Sequence, residues 1–141
     1  MVLDMLTGAT KAITDTRRES WRPVFAPDES SIVYISKDNA QCDVFSYDLN
    51  TGTEIRLTTT QFDEWDPQFA PDGQRIVYAA RVDGNWDLFL LDLASGQNTR
   101  LTRTKGDEWD PAFSTDDGSL LFAGKFGFLE AIFQRQLHPV K

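Results

Sequence analysis

The chain has 141 residues, 40% hydrophobic and 12% aromatic, which is enough apolar side chain for one folded domain and too short to carry a separate catalytic module. Its 14 Lys and Arg against 22 Asp and Glu leave a formal charge of −8, the wrong sign for nucleic acid or an anionic membrane. A single cysteine, Cys42, and a single histidine, His138, exclude an intrachain disulfide and any zinc-ligand spacing.

From the N-terminus, residues 1–20 lack the basic stretch and apolar run of an export signal, and no apolar run approaches the roughly 18 residues of a membrane span. The sequence as written therefore reads as cytoplasmic, without membrane insertion. The segment LDMLTGATKAITDT at 3–16 then returns as YDLNTGTEIRLTTT at 47–60 and LDLASGQNTRLTRT at 91–104, in steps of 44 residues. The same step separates Trp21, Trp65 and Trp109, each followed two residues later by Pro23, Pro67 or Pro111. Phe25, Phe69 and Phe113 keep the phase, as do Asp28, Asp72 and Asp116, then Tyr34, Tyr78 and Phe122, and finally Phe45, Phe89 and Phe133. A repeat of this length and regularity decides the fold class before any local reading.

Residues 1–16 supply the tail of a third strand and, over Ala9–Thr16, a spare fourth strand. Residues 17–60 and 61–104 are complete units, and 105–141 is an incomplete one without its fourth strand. The unit at 61–104 shows the pattern best: a first strand at Pro67–Ala70 ends in the turn Pro71-Asp72-Gly73, where proline fixes φ and glycine accepts a positive one. Arg75–Ala80 is β-branched and aromatic, and Val82-Asp83-Gly84-Asn85 turns it back as a hairpin into Trp86–Leu93. After the Ser95-Gly96 turn, Asn98–Thr102 is polar enough for an outer strand with an edge in water. Each unit is thus a four-stranded antiparallel meander, and the chain is all-β. Such units without intervening helices are the blades of a β-propeller.

The residues narrow this further. WDPQFAPDGQRIVYAA followed by LFLLDLASGQNTRLT resembles the repeat of the TolB-type, WD40-like propellers, a family that includes the propeller domains of prolyl oligopeptidase-like and dipeptidyl peptidase-like enzymes. Departures are Arg22 in the place of Asp66 and Asp110, Glu29 where the turn glycine stands, and the loss of the turn proline in Ser114-Thr115-Asp116-Asp117-Gly118. The tail Phe126–Lys141 also lacks the Asp-Gly turn. The resemblance implies six blades and action through protein contacts in the bacterial envelope. A periplasmic setting follows if the chain is a fragment of an exported parent.

A little over three repeats cannot close a ring of roughly four to eight blades. Lys141 falls at the phase of Gln97, where a fourth strand begins, while Ala9–Thr16 is a fourth strand to spare. The expectation is a homodimer in which each chain's N-terminal strand completes the other's last blade, giving a six-bladed ring with two-fold symmetry. Met1–Met5 and Phe133–Leu137 then compete for one third-strand position, and the former is expected to yield. The alternative is a fragment of a longer propeller that gates a peptidase domain.

Asp63, Glu64, Trp65 and Asp66, their repeats Asp107, Glu108, Trp109 and Asp110, and Trp21 with Arg22, lie where outer strands give way to inner ones. In a ring these positions gather around one channel mouth. They form the candidate surface for a protein, peptide or small ligand, with aromatics as contact area and carboxylates favouring cations. For the tryptophans a packing role between blades is favoured over ligand contact, because packing would recur in every repeat. Calcium suits such oxygens, but no EF-hand loop or other dense acidic motif is present, so no cofactor or metal is assigned. His138 has no nucleophile pattern beside it and GxSxG is absent, so no catalytic residue is assigned. Cys42 falls at the phase of Trp86, where a half-buried small side chain is expected.

Overall fold

The computed structural model describes residues 2–3, 8–15 and 17–137; His138 and Lys141 lie outside them. The described residues hold thirteen strands and no helix. β1 (Val2–Leu3) pairs with β2 (Thr10–Lys11). The first sheet contains β3 (Ser20–Phe25), β4 (Ser31–Asp38), β5 (Gln41–Asp48) and β6 (Glu54–Arg56) in sequence order. The second repeats it with β7 (Glu64–Phe69), β8 (Arg75–Val82), β9 (Asn85–Asp92) and β10 (Asn98–Arg100). The third has β11 (Asp107–Phe113), β12 (Ser119–Phe126) and β13 (Leu129–Gln136).

The pairing keeps the repeat phase. Tyr34 faces Phe45, Tyr78 faces Phe89 and Phe122 faces Phe133 across their hairpins, and each pair stacks with ring centroids 6.0, 5.7 and 5.8 Å apart. Such directly opposed aromatics are a strong cross-strand pair. β1 and β2 pair as Leu3 with Thr10, the counterpart of Leu91 with Asn98 in β9 and β10. The N-terminal segment therefore carries the register of third and fourth strands.

Hairpin turns follow from which residue tolerates a positive φ. Asp83 and Gly84 form the two-residue turn between β8 and β9, at φ 53° and 92°, the left-handed pair that matches strand twist. The first sheet makes the same turn with Asn39 and Ala40, φ 48° and 74°. In the third, Gly127 at φ 65° opens the turn that brings Phe126 opposite Leu129, so the hairpin survives the loss of Asp-Gly.

The first strands begin earlier than the turn signals suggest. β7 and β11 take in Glu64–Asp66 and Asp107–Asp110 instead of leaving them as connections. The chain continues through the proline by a bulge: the register shifts between Trp65 and Gln68, Trp109 and Ala112, and Trp21 and Val24. Asp66, Asp110 and Arg22 occupy the bulge at φ 52°, 48° and 55°. Proline has no N–H for the ladder, and the bulge removes the need for one.

The core lies between sheets. Val33, Ile35 and Val44 of the first pack with Ile76, Tyr78 and Ala80 of the second, and Ala79 and Leu88 of the second pack with Phe122 of the third. On the other side of the first sheet, Ile32, Tyr34 and Phe45 are covered by Ile13, and the Arg18 guanidinium lies 5.0 Å from the Phe45 ring centre.

Candidate functional site

A strand sends successive side chains to opposite sides, so Glu64 and Trp65 cannot share a surface. The structure turns Glu64 and Glu108 inward, both fully buried. Glu64 accepts hydrogen bonds from the Thr58 hydroxyl, from the Thr60 hydroxyl at 2.8 Å and from the Val44 N–H at 3.2 Å. Glu108 accepts the Thr102 hydroxyl at 2.8 Å and that of Thr104. Thr58 and Thr102 also accept the N–H groups of Val44 and Leu88, at 2.9 and 2.8 Å. Each glutamate thus ties the inner strand of one sheet to the outer edge of the sheet before it. The expectation that these two line the mouth is corrected: they are inter-sheet ties. Burial is the main cause that pushes the Glu64 carboxyl up to about 7, against threonine bonds that oppose it.

Beside each tie a buried aspartate is paired with an arginine that reaches the surface. Arg56 Nη2 donates to Asp43 at 2.7 Å, and Arg100 Nη2 to Asp87 at 2.7 Å. The same guanidinium groups donate through Nε to the Thr58 and Thr102 carbonyls at 3.0 Å. Both aspartates are inaccessible, so these two arginines are structural partners that offset buried charge.

The alternate side chains face outward around a cavity of about 560 Å³. Trp65 and Trp109 line it with Asp63, Asp66, Asp107, Asp110 and Arg22. Seven of the ten candidate residues are therefore brought together. Trp21 is not among them; it packs on the first inter-sheet core, its ring centroid 5.5 Å from that of Trp65. The cavity gains Trp86, Cys42 and Ala79, which the sequence reading did not assign to it. Trp86 and Cys42 open β9 and β5, and both are recruited by the next repeat: Asp107 accepts the Trp86 N–H at 2.9 Å and Asp63 the Cys42 N–H at 3.1 Å. The shared phase of Cys42 and Trp86 was the available signal. Burial first, then Asp63, pushes the Cys42 thiol up, which keeps it a neutral, poor nucleophile.

Arg22, Asp66 and Asp110 also line a second cavity, of about 400 Å³, along the inner strands beside Pro23 and Pro111. Arg22 Nε lies 3.1 Å from Asp66 Oδ1, and the Asp110 N–H donates to Asp66 Oδ2 at 3.4 Å. Burial and then the Asp110 carboxylate push the Asp66 carboxyl up, with Arg22 opposing both. The Arg22 guanidinium also lies 5.9 Å from the Trp65 ring centre. Among the described residues no group of three or more His, Cys, Asp or Glu is placed to hold a metal ion. The cavity has no paired nucleophile and base; its means are aromatic faces, carboxylates and one guanidinium.

The comparisons with known proteins agree on the fold. TolB from Acinetobacter baumannii superposes with a TM-score of 0.79 at 23% identity, over 94% of this chain and 33% of that one. A putative TolB from Agrobacterium tumefaciens gives 0.74 at 20% identity, over 80% and 44%. A puromycin-hydrolysing peptidase from Mycobacterium tuberculosis gives 0.73 at 14% identity, over 92% and 21%. The chain thus spans less than half the length of each. No curated protein sequence matches it. The model of the TolB beta propeller domain matches residues 1–138, and the chain belongs to that family.

Proposed function

We propose that this chain is a non-catalytic binding module that presents the Trp65–Trp86–Trp109 cavity to a peptide segment of a protein partner. The observation that carries the reading is the cavity itself. Three tryptophans from separate strands and four aspartates surround about 560 Å³, the size of a ligand pocket and the composition of a binding hot spot. Rigid aromatic faces supply contact area at low entropic cost, and the carboxylates select basic or hydrogen-bond-donating groups. The ring that holds this face in place is completed by two copies of the chain. Support for that assembly comes from the third-and-fourth-strand register of β1 and β2.

A second reading is favoured by the similarity to the puromycin-hydrolysing peptidase, of which this chain covers 21%. There the same unit, as part of a longer protein, would control access to a hydrolase domain. The periplasmic setting implied by the resemblance to TolB belongs with a longer parent as well.

A peptide array probed with the labelled chain tests the first reading, and its binders are then titrated against Trp109→Ala. The expected result is binding that weakens at least about tenfold, the effect of removing one aromatic anchor. Binders indifferent to Trp109→Ala would move the site elsewhere, and an array without binders would overturn the peptide reading.

A further inference from the structure

The junction between the first two sheets shows how this repeat holds a guanidinium. Arg22 leaves the bulge of β3 and crosses to the second sheet, where its Nε lies 3.1 Å from Asp66 Oδ1 and its guanidinium carbon 5.9 Å from the centre of the Trp65 ring. A planar cation over an indole and against a carboxylate combines cation–π attraction with an ion pair. Asp66 leaves the equivalent bulge of β7, at φ 52° against 55° for Arg22. It crosses in the same direction, because its Oδ2 takes the Asp110 N–H of the third sheet at 3.4 Å. At the second junction, then, a short carboxylate starts where a long cation starts at the first. Trp109 and Asp110 stand at the phase of Trp65 and Asp66, and the residue that would bring a guanidinium to them is an aspartate.

Room for one is made by a single exchange. Across the ladder from Trp21 stands Ile35, and across from Trp65 stands Ala79. Ile35 fills the first inter-sheet core, whereas Ala79 lines the cavity of about 560 Å³ together with Trp65, Trp86 and Trp109. The electrostatics call for a cation there. The Asp66 side chain is 6% exposed, and its Oδ1 accepts no hydrogen bond although Arg22 lies beside it as an ion pair. The Asp110 carboxylate is close enough to push the Asp66 carboxyl up. Asp63 and Asp107 add two more carboxylates to the lining, and among the described residues Arg22 is the one cation that faces this cavity or its neighbour. Converging like charges at such depth are unfavourable unless a cation stands among them.

We propose that the cavity selects the guanidinium of an arginine in the partner peptide, seated over Trp109 and between the carboxylates of Asp66 and Asp110. The seat repeats the one that Arg22 takes over Trp65 and against Asp66. This rests on the reading of the cavity as a peptide-binding site and names the side chain that the site prefers. Lysine is the poorer occupant, since an ammonium has no plane to lay on an indole and no fork to span two carboxylates. Citrulline has the shape of arginine without its charge and loses the attraction that the aspartates supply.

Titration of Nα-acetyl-arginine amide and its lysine and citrulline counterparts into the full chain at pH 8 tests it, with the indole N–H signals read by NMR. The signals of Trp65, Trp86 and Trp109 are expected to shift and saturate with the arginine compound, with Trp21, packed in the first core, as internal reference. The citrulline compound should bind at least about tenfold more weakly, the effect of losing a charged hydrogen-bond partner, with lysine between the two. Equal binding of all three, or no saturable shift, overturns the seat. Asp66→Arg gives the second junction the residue that the first one has; it should fill the seat from within and abolish the Trp109 shift. If that variant fails to fold, Asp110→Asn decides, because Asp110 is exposed; undiminished arginine affinity in it overturns the proposal. Array peptides that need Trp109 but bind equally with citrulline for arginine leave the peptide reading standing and overturn the guanidinium. An array without binders beside saturable arginine amide overturns the peptide partner and leaves the guanidinium seat.

Discussion

Glu64 offers the sharpest test of the inter-sheet ties, because its buried carboxyl should make stability depend on pH in a definite direction. Its carboxyl is carried from the ordinary 4.5 to about 7, chiefly by burial. The folded chain therefore holds this proton more tightly than the unfolded chain does. The stabilising effect of protonation is fully present below pH 4.5 and is lost as pH rises through about 7. Between pH 5 and 8 the ionised form comes to cost about 2.5 kcal/mol more in the folded state. Glu64→Gln keeps an acceptor for Thr58 and Thr60 but has no charge to bury. Urea unfolding of both proteins at pH 5 and pH 8, at one chain concentration, measures the effect. The variant should gain about 2.5 kcal/mol on the wild type over that interval. Asp66, which burial and Asp110 also push up, is present in both proteins and cancels in the difference. A wild-type-to-variant gap that stays constant from pH 5 to pH 8 would refute the assignment of Glu64 as a desolvated tie.

Two further outcomes follow from the same geometry. Arg100→Met removes the partner of the inaccessible Asp87 and should destabilise the chain by about 3 kcal/mol in urea titration, the cost of an uncompensated buried charge; a loss below about 1 kcal/mol would mean that water reaches the carboxylate. Ala40→Gly relieves a left-handed residue at φ 74° in the turn after Asn39 and should stabilise by about 1 kcal/mol, seen as a higher midpoint of thermal unfolding.

The repeat made the fold legible, because every inward aromatic and every turn returns in a fixed phase, and the sheets obey it residue by residue. Two things were not legible in that phase. One was the extent of the first strands: proline reads as a strand boundary, yet the bulge at Asp66 and Asp110 lets the ladder run through it. The other was the division of DEWDP between surface and interior. Charge suggests an exposed run, but strand alternation turns Glu64 inward and Trp65 outward. The accompanying signal was Thr58 and Thr60, six and four residues before Glu64, repeated as Thr102 and Thr104 before Glu108. Trp86 was missed for a topological reason: it reaches the cavity from the third strand of its own sheet and is fixed there by Asp107 of the next.

The ties also have a mechanical consequence. At the phase of Glu64 and Glu108 the first sheet carries Ser20, whose hydroxyl meets Ser36 at 3.2 Å and is too short to span to the preceding edge strand. Among the described residues, two seams are therefore bolted through a buried carboxylate, and the seam ahead of β3 is not. Under strain, heat or denaturant the first opening should occur there. Amide exchange in residues 8–15 should accordingly be fast, while the Val44 and Leu88 amides, held at the bolted seams, exchange only with global unfolding.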